Sequence, residues 1–211
     1  MNISILTDNP KSWIIPYVKR LITRDKVNTY SHFYSVKHLA GGDLLIILSC
    51  EKKVADEILS LFKKAVVVHP SKLPQGRGWS PIAWDILSGS CTLYFTLFEA
   101  TSDIDSGDIY LTDKVNLNGT ELNSEIKEIQ GSMTVKMIEH FIQNIKSITP
   151  TRQHGEVSYY KRRSKSSSEL NPNLSIKDQF NLLRVVDNER YPAFFFLNGQ
   201  KYIIKIFKDD A

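Results

Sequence analysis

Short unbroken apolar runs along the chain alternate with stretches in which apolar residues recur every three or four positions. Asn2–Leu6 is the first run and predicts a buried strand. The turn-rich TDNPKS follows, then Ile14, Ile15, Val18, Leu21 and Ile22 on one face of a predicted helix. Pro16 belongs in the first turn of that helix, where a missing amide is tolerated. Tyr30–Val36 alternates loosely and predicts a second strand. Asp43–Leu48 follows a Gly-Gly turn as a continuous apolar run, the pattern of a parallel strand buried on both faces. Ser49 is placed to cap a helix from Glu51 to Lys63, with Val54, Ile58, Leu61 and Phe62 on its inner face. Val66–Val68 predicts the next strand. The order β-α-β-β-α-β argues for a sheet with helices on its faces.

The rhythm continues in the second half. Ser80-Pro81 reads as N-cap and first residue of a helix that stops near Gly89. Cys91–Phe98 and Tyr110–Val115 predict strands. Leu122, Ile126, Ile129, Met133, Met137, Phe141 and Ile145 predict one long amphipathic helix over Glu121–Lys146, capped by Thr120 and kinked at Gly131. From Thr149 to Asn173 the periodicity vanishes, and QHGEVSYYKRR reads as a basic, aromatic loop. Ser175 and Asp178 form a capping box for a helix ending near Val185. Asn198-Gly199 between two apolar runs predicts a β-hairpin of Ala193–Leu197 with Lys201–Phe207. Three regions result: a core over 1–148, a linker or substrate loop over 149–174, and a small appendage over 175–211.

Composition narrows the class only mildly. Of 211 residues, 42% are hydrophobic and 24% charged, as in ordinary globular proteins. A net charge of +4 suits anionic ligands but does not demand nucleic acid. Cys50 and Cys91 lack metal-ligand spacing and fit reduced thiols, so no metal site is expected. No apolar run approaches the roughly 18–20 residues of a membrane span, and MNISILTDNP lacks a basic leader, so a cytoplasmic protein without membrane partners is expected.

Candidate chemistry concentrates in two loops. His69 stands at the end of a predicted inner strand, and Pro70 biases it towards extended backbone. Open α/β sheets bind ligands at such strand ends. The second loop, SDIDSGDI, crowds Asp103, Asp105 and Asp108 after another strand. Its spacing does not match a calcium loop. An imidazole and a carboxylate on facing loops make an acid/base pair. The first turn, with Asp8 and Asn9, lacks the GxGxxG pattern of a dinucleotide site.

HPSKLPQGRGWSP followed by EATSDIDSGDIY resembles the signature of the formyltransferases that use N10-formyltetrahydrofolate, over roughly residues 1–148. The resemblance implies an α/β fold: a Rossmann-like core with a mostly parallel central sheet flanked by helices. It gives His69 and Asp105 the catalytic positions. Ser71, Leu73, Pro74, Gly76, Arg77, Gly78 and Asp103 fall in donor-binding positions, with a cis Leu73-Pro74 bond. One departure is that Val67 stands where the family has an Asn whose amide donates to the formyl oxygen. LTDNPKSW at the start, with QHGEVSYYKRR and QFNLLRVVDNERYPAFF later, is similar to small bacterial sugar N-formyltransferases, among them the enzyme of the pseudaminic acid pathway. This implies an acceptor such as UDP-4-amino-4,6-dideoxy-N-acetyl-altrosamine, or a dTDP-linked relative. Asp8, Asn9, Trp13, Tyr159, Lys161 and Arg162 are the expected acceptor contacts. The roughly 35 residues beyond the loop are fewer than a C-terminal β-barrel needs, which argues against the methionyl-tRNA enzyme. That enzyme, and a weakly active binding homologue suggested by Val67, stay open as alternatives. The apolar hairpin is the expected surface for a homodimer.

Overall fold

The computed structural model describes residues 1–209. In chain order its elements are β1 (Asn2–Leu6), α1 (Ile15–Arg24), β2 (Thr29–Phe33), β3 (Gly42–Ile47), α2 (Asp56–Leu59), β4 (Phe62–His69), β5 (Arg77–Gly78), α3 (Pro81–Leu87), β6 (Thr92–Glu99), β7 (Ile109–Asn116), α4 (Asn123–Asn144), β8 (Tyr159–Tyr160), α5 (Phe180–Val185), β9 (Ala193–Leu197) and β10 (Gln200–Ile204). Six strands form the central sheet in the order β2-β1-β3-β4-β6-β7. The first four are mutually parallel, and β6 and β7 run antiparallel to their neighbours. The expected Rossmann-like sheet is therefore present.

Strand alternation divides the core between two faces. Ile3, Ile5, Leu44, Ile46 and Val66 meet Val18 and Leu21 of α1 and Met137, Ile138 and Phe141 of α4. Leu6, Leu45, Ile47, Phe62 and Ala65 pack under Leu39 and Val54 on the other face. Gly131 sits where α1 crosses α4. A Cβ there would lie 2.4 Å from the Tyr17 ring, so glycine permits the close approach. Tyr17 Oη donates to Glu128 Oε2 at 2.7 Å across the same contact. The helix runs unbroken through Gly131, whose missing side chain makes room for Tyr17.

Several local expectations are corrected. The helix expected over Glu51–Lys63 is a single turn, α2, and Phe62 and Lys63 already belong to β4. Asp8 Oδ2 accepts the amides of Glu51 and Lys52 at 2.6 and 2.9 Å, which pins that stretch as a loop. Ser49 takes a left-handed backbone and caps nothing. Ser80 does precede α3, also left-handed, without a side-chain cap bond. Thr120 turns back to Asn118, and the amide of Leu122, the N-cap of α4, donates to Glu125 Oε2 at 2.8 Å. Ser175 and Asp178 bond each other as a capping pair, but the helix begins only at Phe180. The hairpin forms with β10 ending at Ile204.

α5 and the hairpin share a small core of Leu170, Leu183, Val186 and Ala193. Buried Arg184 fastens this unit to the main body: Nε and Nη2 donate to the carbonyl and Oε2 of Glu121, each at 3.0 Å. No helix among the described residues is long and apolar enough to cross a membrane.

Candidate active site

β4 delivers His69 to the sheet rim, where its ring is buried. His69 Nε2 lies 2.9 Å from the carbonyl of Gly76 and 3.7 Å from Asp105 Oδ2. A carbonyl can only accept, so Nε2 is the donor in this bond and Nδ1 is not engaged by it. Gly76 supplies that hydrogen bond, and Asp105 adds charge from just beyond bonding distance.

Asp105 is held in turn by the other loop. Its Oδ2 accepts the amide of Gly78 at 2.8 Å. Its backbone is left-handed, with φ of 50°. Two residues on, Gly107 lies against the end of β6, where a Cβ would fall 1.8 Å from the Glu99 carbonyl oxygen. The Leu73-Pro74 bond is cis, as expected.

The segment after α4 is bonded to the core along its length. Thr151 and Ile109 exchange amide–carbonyl bonds at 2.7 and 2.9 Å. β8 pairs in parallel with β5, matching Arg77 with Tyr159 and Gly78 with Tyr160. Ser158 Oγ accepts the amide of Gly76 at 2.9 Å, and Trp84 Nε1 donates to the carbonyl of Lys161 at 2.9 Å. Tyr160 Oη donates to Asp85 Oδ1 at 2.7 Å. Burial and that carboxylate push the Tyr160 phenol up to about 12. Burial also raises the Asp85 carboxyl, against the pull of Tyr160 and of the His69 charge.

A cleft of about 550 Å³ opens beside the pair, within the usual size of ligand sites. Of the expected residues it takes in His69, Asp105, Gly78, Asp103, Asn9, Trp13 and Arg162. Val67 is on its wall with Ile47, Phe98 and Ala100. The other expected residues lie elsewhere. Ser71 and Gly76 border a separate cavity of about 170 Å³ behind the loop. Leu73 is buried, and the Pro74 carbonyl accepts the Ser158 amide at 3.4 Å. Arg77 turns to Gln153 and Tyr159. Asp8 is spent on the 51–52 amides, Tyr159 is exposed outside the cleft, and Lys161 contributes only its carbonyl to Trp84. The reason is geometric: a tight proline-rich loop cannot turn every side chain to one side. Sequence reasoning missed the 48–53 loop, Gln130 and Thr134 of α4, and Arg190, all of which line the cleft, whereas Arg163, also on its wall, belongs to the expected basic loop. Position beyond a strand end could have flagged 48–53, but nothing in the pattern marks the others. Among the described residues no group of three or more His, Cys, Asp or Glu could hold a metal.

A histidine at a strand end and a carboxylate on the facing loop, 3.7 Å apart beside a ligand-sized cleft, have the geometry that acid/base chemistry requires. The chain belongs to the formyl transferase family, whose model matches residues 18–138, more than half of its length. The methionyl-tRNA formyltransferase of Thermodesulfovibrio yellowstonii is 27% identical over 177 residues, covering 80% of this chain and 55% of that protein. The chain thus spans about half the length of the curated relatives it matches. Among solved structures, methionyl-tRNA formyltransferase from Clostridium thermocellum superposes with a TM-score of 0.83 at 23% identity, over 98% of this chain and 92% of the other. A 4-N formyltransferase from Francisella tularensis gives 0.79 at 18% identity, over 100% and 98%. HypX from Aquifex aeolicus in complex with tetrahydrofolic acid gives 0.74 at 17% identity, over 97% and 37%.

Proposed function

We propose that the chain transfers a formyl group from N10-formyltetrahydrofolate to the 4-amino group of a nucleotide-linked amino sugar, with UDP-4-amino-4,6-dideoxy-N-acetyl-altrosamine the first acceptor to try. The His69–Asp105 pair, 3.7 Å apart at the wall of the 550 Å³ cleft, carries this reading. The residues present fit the donor. Ile47, Val67, Phe98 and Ala100 offer apolar surface to a flat pterin, and the 48–53 and 101–105 loops offer polar edges. Once bound, the folate would supply the formyl carbon and leave with a proton on N10.

The chain's own groups then have distinct tasks. His69 Nδ1, left free by the bond at Nε2, is the atom that gains or gives a proton. In its protonated form it opposes the charge that develops on the formyl oxygen, a task that Val67 cannot perform. Asp105 balances the imidazolium and accepts the proton that the attacking amine loses. Arg162, Arg163 and Arg190 stand along the cleft with Trp13 and Tyr191, a set suited to a diphosphate and a base. Arg162 also lies 4.5 Å over the Trp79 ring.

A second reading, formylation of methionyl-tRNA, is favoured by the name of the curated relatives. β10 has every residue exposed and only one strand neighbour, which supports pairing with a second copy of the chain. The test is incubation with N10-formyltetrahydrofolate and, separately, UDP- and dTDP-linked 4-amino sugars and methionyl-tRNA, read by gain of one formyl mass. Formylated sugar is expected, and its loss by about 100-fold or more in His69→Ala and Asp105→Ala. Formylated tRNA with untouched sugars would establish the second reading. Full turnover in both variants would remove the pair from the chemistry.

A further inference from the structure

We infer that Gln153 is the positioning residue that fixes Asp105 against His69, an inference that rests on the proposed transfer only for its kinetic readout. Asp105 sits in the left-handed region, and a non-glycine residue there persists only where its surroundings impose it. Its carboxylate is fastened at one point, the Gly78 amide. The hydroxyls of Thr101 and Ser106 bond the Asp103 carbonyl within the same loop, but neither reaches Asp105. Gln153 supplies further fastenings on the main chain: Nε2 donates to the carbonyl of Asp105 at 2.9 Å and to that of Gly107 at 2.8 Å.

The third bond closes a ring. Gln153 Oε1 accepts from Arg77 Nη2 at 2.6 Å, and Arg77 directly precedes Gly78. An arginine can only donate, so the amide has one permitted orientation, with both hydrogens facing the two carbonyls. The path runs from the Asp105 carboxylate to Gly78, through Arg77 and Gln153, and back to the Asp105 carbonyl. One side chain from a third segment therefore ties the two loops of the pair to each other, in addition to the backbone bonds that hold the histidine loop to β8. That segment is itself anchored beside Gln153 by the Thr151–Ile109 bridge.

The chemistry of the side chain allows a sharp test. Gln153→Glu keeps the length and can still accept from Arg77, but it removes both donors and turns a carboxylate towards two carbonyls. Gln153→Ala removes all three bonds. Both variants should lose about 10- to 100-fold in kcat, as expected for a catalytic group displaced by about 1 Å. The KM for the amine should stay within twofold. Amide exchange over 101–108 should quicken at least tenfold in both, with α4 unchanged. A Gln153→Glu enzyme with wild-type kcat overturns the inference, and so does unchanged exchange over 101–108. Should the wild-type chain transfer no formyl group to any acceptor, the functional reading fails by itself, and the exchange measurement, which needs no turnover, decides the role of Gln153.

Discussion

Gly107→Ala is the substitution that ties loop geometry most directly to activity. The new methyl would lie 1.8 Å from the Glu99 carbonyl oxygen and 2.8 Å from its carbon. Glu99 belongs to β6, and its amide is bonded to the carbonyl of Asp108 at 2.9 Å, so the strand cannot retreat cheaply. Bringing the closest contact to 3.0 Å requires a shift of about 1.2 Å in the loop. Asp105 is two residues away and moves with it. On the proposed chemistry, a displacement of about 1 Å at Asp105 lowers the rate about 100-fold, equivalent to about 2.7 kcal/mol of barrier. The assay is steady-state formyl transfer on protein shown folded by its melting curve. Gly131→Ala provides the contrast: its methyl would overlap the Tyr17 ring at the α1–α4 contact and not the loop that carries Asp105. Such overpacking costs about 1–3 kcal/mol, or several degrees in Tm at roughly 2–4 °C per kcal/mol, while kcat per folded molecule stays near wild type. A folded Gly107→Ala enzyme with kcat within threefold of wild type would refute the reasoning.

Three further outcomes are expected. Arg184→Ala leaves Glu121 without its buried partner, at a cost of about 3 kcal/mol; calorimetry should show a Tm lower by about 8 °C, and an unchanged Tm would mean the pair anchors nothing. Burial pushes the Asp25 carboxyl up, but hydrogen bonds from Asn28, Tyr30 and the amides of Val27 and Asn28 outweigh it and bring it down from 3.8 to about 2. A depressed folded value gives stability that is complete above the unfolded pKa and disappears as pH falls through the folded one. Acid titration between pH 4 and 2 should therefore be flatter for Asp25→Asn than for wild type, and identical curves would contradict this. Burial, with the Asp8 charge adding to it, pushes the Cys50 thiol up to about 12, whereas Cys91 is exposed. Iodoacetamide at pH 8 should label Cys91 alone, because the thiolate at Cys50 is only on the order of 0.01% populated; a rapid second label would show that Cys50 is open.

Much of the sheet was legible because parallel strands are written as apolar runs that few other elements tolerate. Asp43–Leu48 and Val66–Val68 are of this kind. The stretch Glu51–Lys63 misled for a physical reason: Val54, Ile58 and Phe62 have helical spacing, but Asp8 captures the two amides that would open the helix and Phe62 pairs with Gly42 in the sheet. The pair itself was legible through its loop motifs, since His69 and Asp105 do come together. Its supports were not. Gly76 and Gly78 act through a carbonyl and an amide, which every residue possesses, and Gln153 lies in a polar stretch with no period to mark it. The expected donor residues Ser71 and Leu73 faced away because a compact turn points neighbouring side chains in opposite directions.

The β5–β8 pairing has one more consequence. Ser158 and Tyr160 hold the histidine loop largely by backbone groups: Arg77 bonds the carbonyl of Ser158 and Trp79 that of Tyr160. Such bonds are indifferent to what the intervening side chains become. Replacements at Arg162, on the cleft wall, can therefore accumulate without loosening the pair, so on the proposed chemistry a lineage is free to exchange one acceptor for another while His69 and Asp105 keep their places.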